Sequence, residues 1–242
     1  MTRELRRYVP TVATIANITA GFVAIALAVE SEFYLAAVLI IVAVLCDSLD
    51  GALARMFRAC SRFGAELDSL ADIVSFGLAP AVLVGTLVPG RHSALVWALL
   101  AAFPVCAALR LARFNAAHGD EPIGHGAFTG LPSTAAGGCV AAAVLTIEGM
   151  AGNTQIVSGL LPWFVLLLAA LMVSSIPYRH IGVVMVKHPM PCIMAGTLLV
   201  ALAGGLRRQE LVFPMFFWGY AFSGPVVAIG VRIRAYREAR VG

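Results

Sequence analysis

Four of the five aspartates in this 242-residue chain, Asp47, Asp50, Asp68 and Asp72, fall within 26 residues of one another. Asp47 and Asp50 are three positions apart, and Asp68 and Asp72 are four apart. On a helix each pair therefore shares one face. A short turn around 58–63 would make the two helices antiparallel neighbours and aim both pairs into one pocket. Four carboxylates in one pocket repel one another, and a hard divalent cation resolves the conflict. Clustered oxygen ligands without His or Cys suit Mg²⁺ or Mn²⁺, and four carboxylates are enough for two ions. The residues between the pairs suit close work on phosphates. Gly51 and Gly64 allow a ligand or backbone to approach, Ala54 keeps the same face open, and Arg55 offers a planar fork to a phosphate.

The elements that must hold these residues are membrane helices. The chain is 60% hydrophobic and only 12% charged, with a mean hydropathy of +0.91. A soluble domain carries about a quarter charged residues. Apolar segments cover roughly 10–29, 33–54, 66–88, 93–113, 132–148, 157–176, 191–206 and 211–231, each near the ~20 residues a helix needs to cross a bilayer. The fifth and seventh are short and rich in Ala and Gly. The expectation is an all-α polytopic bundle, 1–242 forming one membrane-embedded domain, with eight crossings or six. With the N-terminus inside and eight crossings, 14 of the 17 Lys and Arg residues fall on the cytoplasmic side, the bias of the positive-inside rule. Both termini and the Asp cluster then face the cytoplasm, in the plasma (inner) membrane of the cell.

The net charge of +4 does not indicate nucleic acid, because the basic residues sit in short clusters between apolar runs and form no stripe with interleaved aromatics. The five cysteines are odd in number and lack CxxC spacing, and read as small core residues. Trp97, Trp163 and Trp218 read as lipid-facing or interfacial belt residues.

The run Asp47-Ser-Leu-Asp50-Gly51-Ala-Leu-Ala54-Arg55, followed after eight residues by Gly64-x-x-x-Asp68-x-x-x-Asp72, resembles the CDP-alcohol phosphotransferase signature at every defined position. That resemblance implies a two-metal transferase acting on a CDP-linked lipid, and a homodimer. By position, it implies that Asp47, Asp50 and Asp68 are metal ligands and that Asp72 is a ligand that also serves as general base. Gly51, Ala54, Arg55 and Gly64 become the cytidine and pyrophosphate cradle. In the phosphatidylserine synthase branch of this family the first helix often opens Pro-Asn-x-x-Thr-x-x-Asn; Pro10, Thr14 and Asn17 match, and Thr11 replaces the first Asn. Thr14 and Asn17 thus join the nucleotide site by resemblance, or form a hydrogen bond between helices.

Further stretches are similar to the phosphatidylserine synthase branch of the family: 67–80, Arg110-Leu-Ala-Arg113-Phe114-Asn115, 128–133 and 171–178. The branch implies CDP-diacylglycerol and L-serine as substrates. A zwitterionic acceptor needs a cation for its carboxylate, and Arg110 or Arg113 could form a bidentate contact with it. The alternative is that both arginines snorkel to headgroups. Asn115 and Ser133 are further candidates for the acceptor pocket. Two rivals stand beside this reading: the same chemistry with glycerol 3-phosphate, inositol phosphate or choline as acceptor, and a cation transporter built on the Asp cluster.

Overall fold

A computed structural model describes residues 3–57, 62–89, 93–117, 130–150, 155–176, 178 and 211–226; side chains are described within 11–49, 63–89, 93–116, 130–150, 157–176, 178 and 211–226. Every element among them is a helix: α1 Arg3–Val29, α2 Phe33–Phe57, α3 Arg62–Asp72, a π-helical turn Ile73–Leu78, α4 Ala79–Leu87, α5 Ala94–Ala117, α6 Ser133–Gly149, α7 Gln155–Val173 and α8 Leu211–Val226. Seven of the eight apolar segments in the sequence coincide with these helices, and 191–206 lies outside the described residues. Three stretches, Thr11–Val29, Phe63–Leu87 and Ala94–Ala116, are long and apolar enough to cross a membrane, and the other apolar helices are shorter. The chain is an all-helical polytopic membrane protein.

Between membrane helices lipid is as apolar as leucine, so association relies on close van der Waals packing and interhelical hydrogen bonds. That explains α6. Its sequence, Ser-Thr-Ala-Ala-Gly-Gly-Cys-Val-Ala-Ala-Ala-Val, reads as a weak segment, yet Ala136 through Leu145 are all buried. Small side chains let neighbours pack onto its backbone: Phe76 lies on Gly137, and the Phe217 ring lies on Gly138. α8 is tied to the same helix by Trp218 Nε1 donating to the Cys139 carbonyl (3.1 Å) and Cys139 Sγ donating to that of Phe217 (3.3 Å). Trp218 is therefore an interhelical clip, whereas Trp163 is exposed as a belt residue should be.

α1 packs most extensively on α2 and also borders α3, the π-turn and α4. Its end is a Schellman motif: Glu32 N–H reaches the Leu27 carbonyl, Ser31 N–H reaches that of Ala28, and Ser31 takes the left-handed position (φ 67°) usually given to glycine. α3, the π-turn and α4 continue as one helix, Phe63–Leu87. Side-chain contacts join the C-terminal parts of α2, α5 and α7 to α3 and the start of α6 at one end of the bundle.

Candidate active site

At that end, Asp47 from the C-terminal part of α2 meets Asp68 and Asp72 of α3, with one carboxylate oxygen from each within 4.8 Å of the other two. Asp72 is buried and the other two are half-buried. Oδ1 of Asp68 is buried and has no hydrogen-bond partner among the described residues. An orphaned carboxylate oxygen of this kind costs roughly 1–3 kcal/mol or more. Three hard oxygen ligands, one of them unsatisfied, match the donor set of a divalent cation. The i,i+4 spacing read from the sequence does place Asp68 and Asp72 on one face with Asp47 opposite. Asp50, Gly51, Ala54 and Arg55 belong to the last turns of α2, where side chains lie outside the described residues. Gly64 stands at the start of α3, half-buried.

Directly after Asp72 the chain opens into the π-turn, whose Ser75, Phe76 and Gly77 are all buried. Turns of this kind concentrate at functional sites. Neighbours on three sides hold this one. Ser75 Oγ donates to the Asn17 carbonyl of α1 (2.9 Å), and Gly21, one turn further, has no Cβ because Ser75 occupies that space. Phe76 packs on Gly137 of α6, and Gly77 packs on Pro104 of α5, so closely that a Cβ added at Gly77 would lie only 3.3 Å from the Pro104 Cα. Thr14 and Asn17 are both buried. Both polar atoms of the Asn17 amide lack a hydrogen-bond partner among the described residues, so the Asn17 side chain makes no helix-clamping bond there.

The structure separates the two arginines that the sequence left equivalent. Arg110 points inward: Nη1 donates to Ser133 Oγ (3.1 Å), and Asp72, Tyr220 and Asp47 are its electrostatic neighbours. Arg113 is exposed and donates from Nη2 to the carbonyl of Val173, the last residue of α7 (3.1 Å), a favourable place for a cation at a helix C-terminus. Asn115 is also committed to the scaffold, with Nδ2 donating to Ser69 Oγ of α3 (3.1 Å). Ser133 begins α6, 1% exposed, with its hydroxyl between Arg110 and Asp72 Oδ2 (3.5 Å).

Ser133 is held in place by the residues just before it. Gly130 N–H bonds to the Ile176 carbonyl (2.9 Å) and Leu131 N–H to that of Leu171 (3.0 Å). Gly130 has φ 91°, and a Cβ there would collide with the Met172 carbonyl. Gly130→Ala combines a left-handed strain of about 1–2 kcal/mol with a clash against backbone. Thermal unfolding in detergent should show a clearly lower Tm; an unchanged Tm would show that this docking does not need glycine.

Sequence reasoning missed Tyr220. It stands on α8 beside Arg110, and its ring lies 6.0 Å from that of Tyr178. Tyr178 is buried over Gly224 and donates its hydroxyl to the Ala221 carbonyl (3.0 Å). No local pattern announces that residue 220 is an electrostatic neighbour of residue 110.

A family model described as CDP-alcohol phosphatidyltransferase matches residues 7–175, and the chain belongs to that family. It is similar to the CDP-diacylglycerol–serine O-phosphatidyltransferase of Mycobacterium tuberculosis, 36% identical over 215 residues, covering 87% of this chain and 74% of that protein. The enzyme of the same name from Helicobacter pylori is 36% identical over 175 residues, covering 71% of each. An archaetidylserine synthase from Methanothermobacter thermautotrophicus is 35% identical over 177 residues, covering 71% of this chain and 70% of the relative.

Proposed function

We propose that the chain transfers the phosphatidyl group of CDP-diacylglycerol to the hydroxyl of L-serine, giving phosphatidylserine and CMP. The observation that carries this reading is the meeting of three carboxylates with a half-buried, inward-pointing arginine at one end of the bundle. It is supported by relatives named CDP-diacylglycerol–serine O-phosphatidyltransferase and archaetidylserine synthase.

In this reading Asp47, Asp50, Asp68 and Asp72 hold two divalent ions, Mg²⁺ or Mn²⁺. When bound, these neutralise charge developing on the pyrophosphate. Gly51, Ala54, Arg55 and Gly64 cradle the nucleotide and pyrophosphate, with Thr14 and Asn17 on the α1 side. The unsatisfied Asn17 amide supports the last assignment. Asp72 accepts the proton of the serine hydroxyl, whose oxygen forms the new bond to the phosphorus bearing the lipid. The bond from that phosphorus to the bridging oxygen breaks, and CMP leaves. Arg110 retains N–H donors beyond the one given to Ser133, and these hold the serine carboxylate.

The site faces the cytoplasm of a plasma (inner) membrane in this reading, which the bias of Lys and Arg supports. The homodimer implied by family resemblance is part of it.

CMP release by the purified protein tests the reading, with CDP-diacylglycerol as donor and L-serine, glycerol 3-phosphate, inositol phosphate or choline as acceptor. Serine should dominate, chelation with EDTA should abolish release, and Mn²⁺ or Mg²⁺ should restore it. Preference for another acceptor overturns the role of Arg110. Silence with every acceptor, in folded protein that binds Mn²⁺, favours the cation transporter.

A further inference from the structure

We infer that Ser133 is a positioning residue: it couples Arg110 to Asp72, so that the acceptor-binding charge and the proton-accepting carboxylate are set as one unit. This deepens the reading above and rests on it for the roles of its two neighbours.

The chemistry of the three groups fixes the direction of the chain. A guanidinium only donates hydrogen bonds and an ionised carboxylate only accepts them, so a hydroxyl between the two has no choice of orientation. Ser133 Oγ accepts from Arg110 Nη1 at 3.1 Å and turns its proton toward Asp72 Oδ2 at 3.5 Å. The arginine polarises the hydroxyl, which strengthens its donation to the carboxylate. One oxygen of Asp72 is thereby held, and the other is directed elsewhere in the site.

The sequence places Ser133 among possible contacts to the acceptor. Two observations argue against that role. The side chain is 1% exposed, so it faces protein and not an open pocket. Its hydroxyl also already accepts one bond and donates another.

The surroundings suit a fixed post. Ser133 is the first residue of α6, the most deeply packed helix among those described, and backbone bonds from Gly130 and Leu131 dock the preceding residues on the end of α7 and the residues just after it. Residues from α3, α5 and α6 thus meet in three side chains. A hydroxyl one position along, at Thr134, would lie about 100° around the helix and miss both partners.

Ser133→Ala should lower kcat for CMP release about 10- to 100-fold, the usual effect of losing a partner that orients a ligand or catalytic group. KM for serine should rise by less than kcat falls, within about fivefold, because Arg110 loses one anchoring bond but keeps its charge and its other donors. Mn²⁺ affinity of the metal-stripped protein, followed by electron paramagnetic resonance, should fall, because Asp72 no longer holds its orientation. Ser133→Thr keeps the hydroxyl and should recover most of both. If the threonine variant does not fold, the alanine variant still decides through its split between kcat and KM.

The slow transfer of the phosphatidyl group to water, giving phosphatidic acid and CMP, should fall in parallel with serine transfer. This readout survives even if the acceptor is not serine, because wild-type protein would then lack serine-dependent CMP release yet still show the defect on replacing Ser133. A raised KM for serine with kcat and Mn²⁺ affinity intact would make Ser133 an acceptor contact and overturn the inference. So would an alanine variant indistinguishable from wild type.

Discussion

Asp72→Asn is expected to reduce kcat for CMP release by about 10³-fold or more, at the upper range for losing a general base. The substitution is close to isosteric. Its amide oxygen can still accept from Ser133 Oγ, so the bond at 3.5 Å is available to both residues. What disappears is a negative charge and a site for the proton of the attacking hydroxyl. Asp47→Asn provides the comparison, because Asp47 shares the same cluster of oxygens within 4.8 Å but is assigned no proton. Raising Mn²⁺ should restore much of the activity of the Asp47 variant and little of that of the Asp72 variant. Equal rescue of both would reduce Asp72 to a ligand and require another base.

The carboxylate cluster was legible because its information is local. Three- and four-residue spacings on helices put side chains on one face whatever the tertiary fold, and a turn of a few residues brings the second face opposite the first. Helix positions were legible for a similar reason, since the bilayer demands long apolar runs. The centrality of α6 was hidden, because hydropathy ranks Ala and Gly low while interhelical packing favours them. The π-turn after Asp72 was also invisible: Ile73–Leu78 has ordinary helical composition, and its widened geometry is held by Asn17, Gly137 and Pro104, all distant in sequence. Arg110 and Arg113 looked alike for the same reason. They are three residues apart on one helix, and only partners 23 and 60 residues away distinguish them. Tyr220 lies beyond the residues that match the family, where hydropathy alone guides a reading.

That distinction between the arginines leads to the second large effect. Arg110→Ala should reduce kcat/KM for serine by about 10²–10³-fold, about 3–4 kcal/mol, within the range typical of truncating one partner of a hydrogen-bonded charge contact. Two losses combine. The serine carboxylate loses its fork, and Asp72 and Asp47 lose the cation that offsets their mutual repulsion. Arg110→Lys separates them, because lysine restores the charge but not the planar pair of donors. It should recover part of kcat while KM for serine stays high. Arg113→Ala should leave KM for serine nearly unchanged. It removes a contact to the last carbonyl of α7, worth about 0.3–1 kcal/mol at an exposed helix end, so its signature is a small loss of thermal stability. If Arg113→Ala raised KM for serine and Arg110→Ala did not, the carboxylate would sit over the end of α7. The inward guanidinium would then serve the lipid's phosphate, and Ser133 would couple Asp72 to the donor substrate instead of the acceptor.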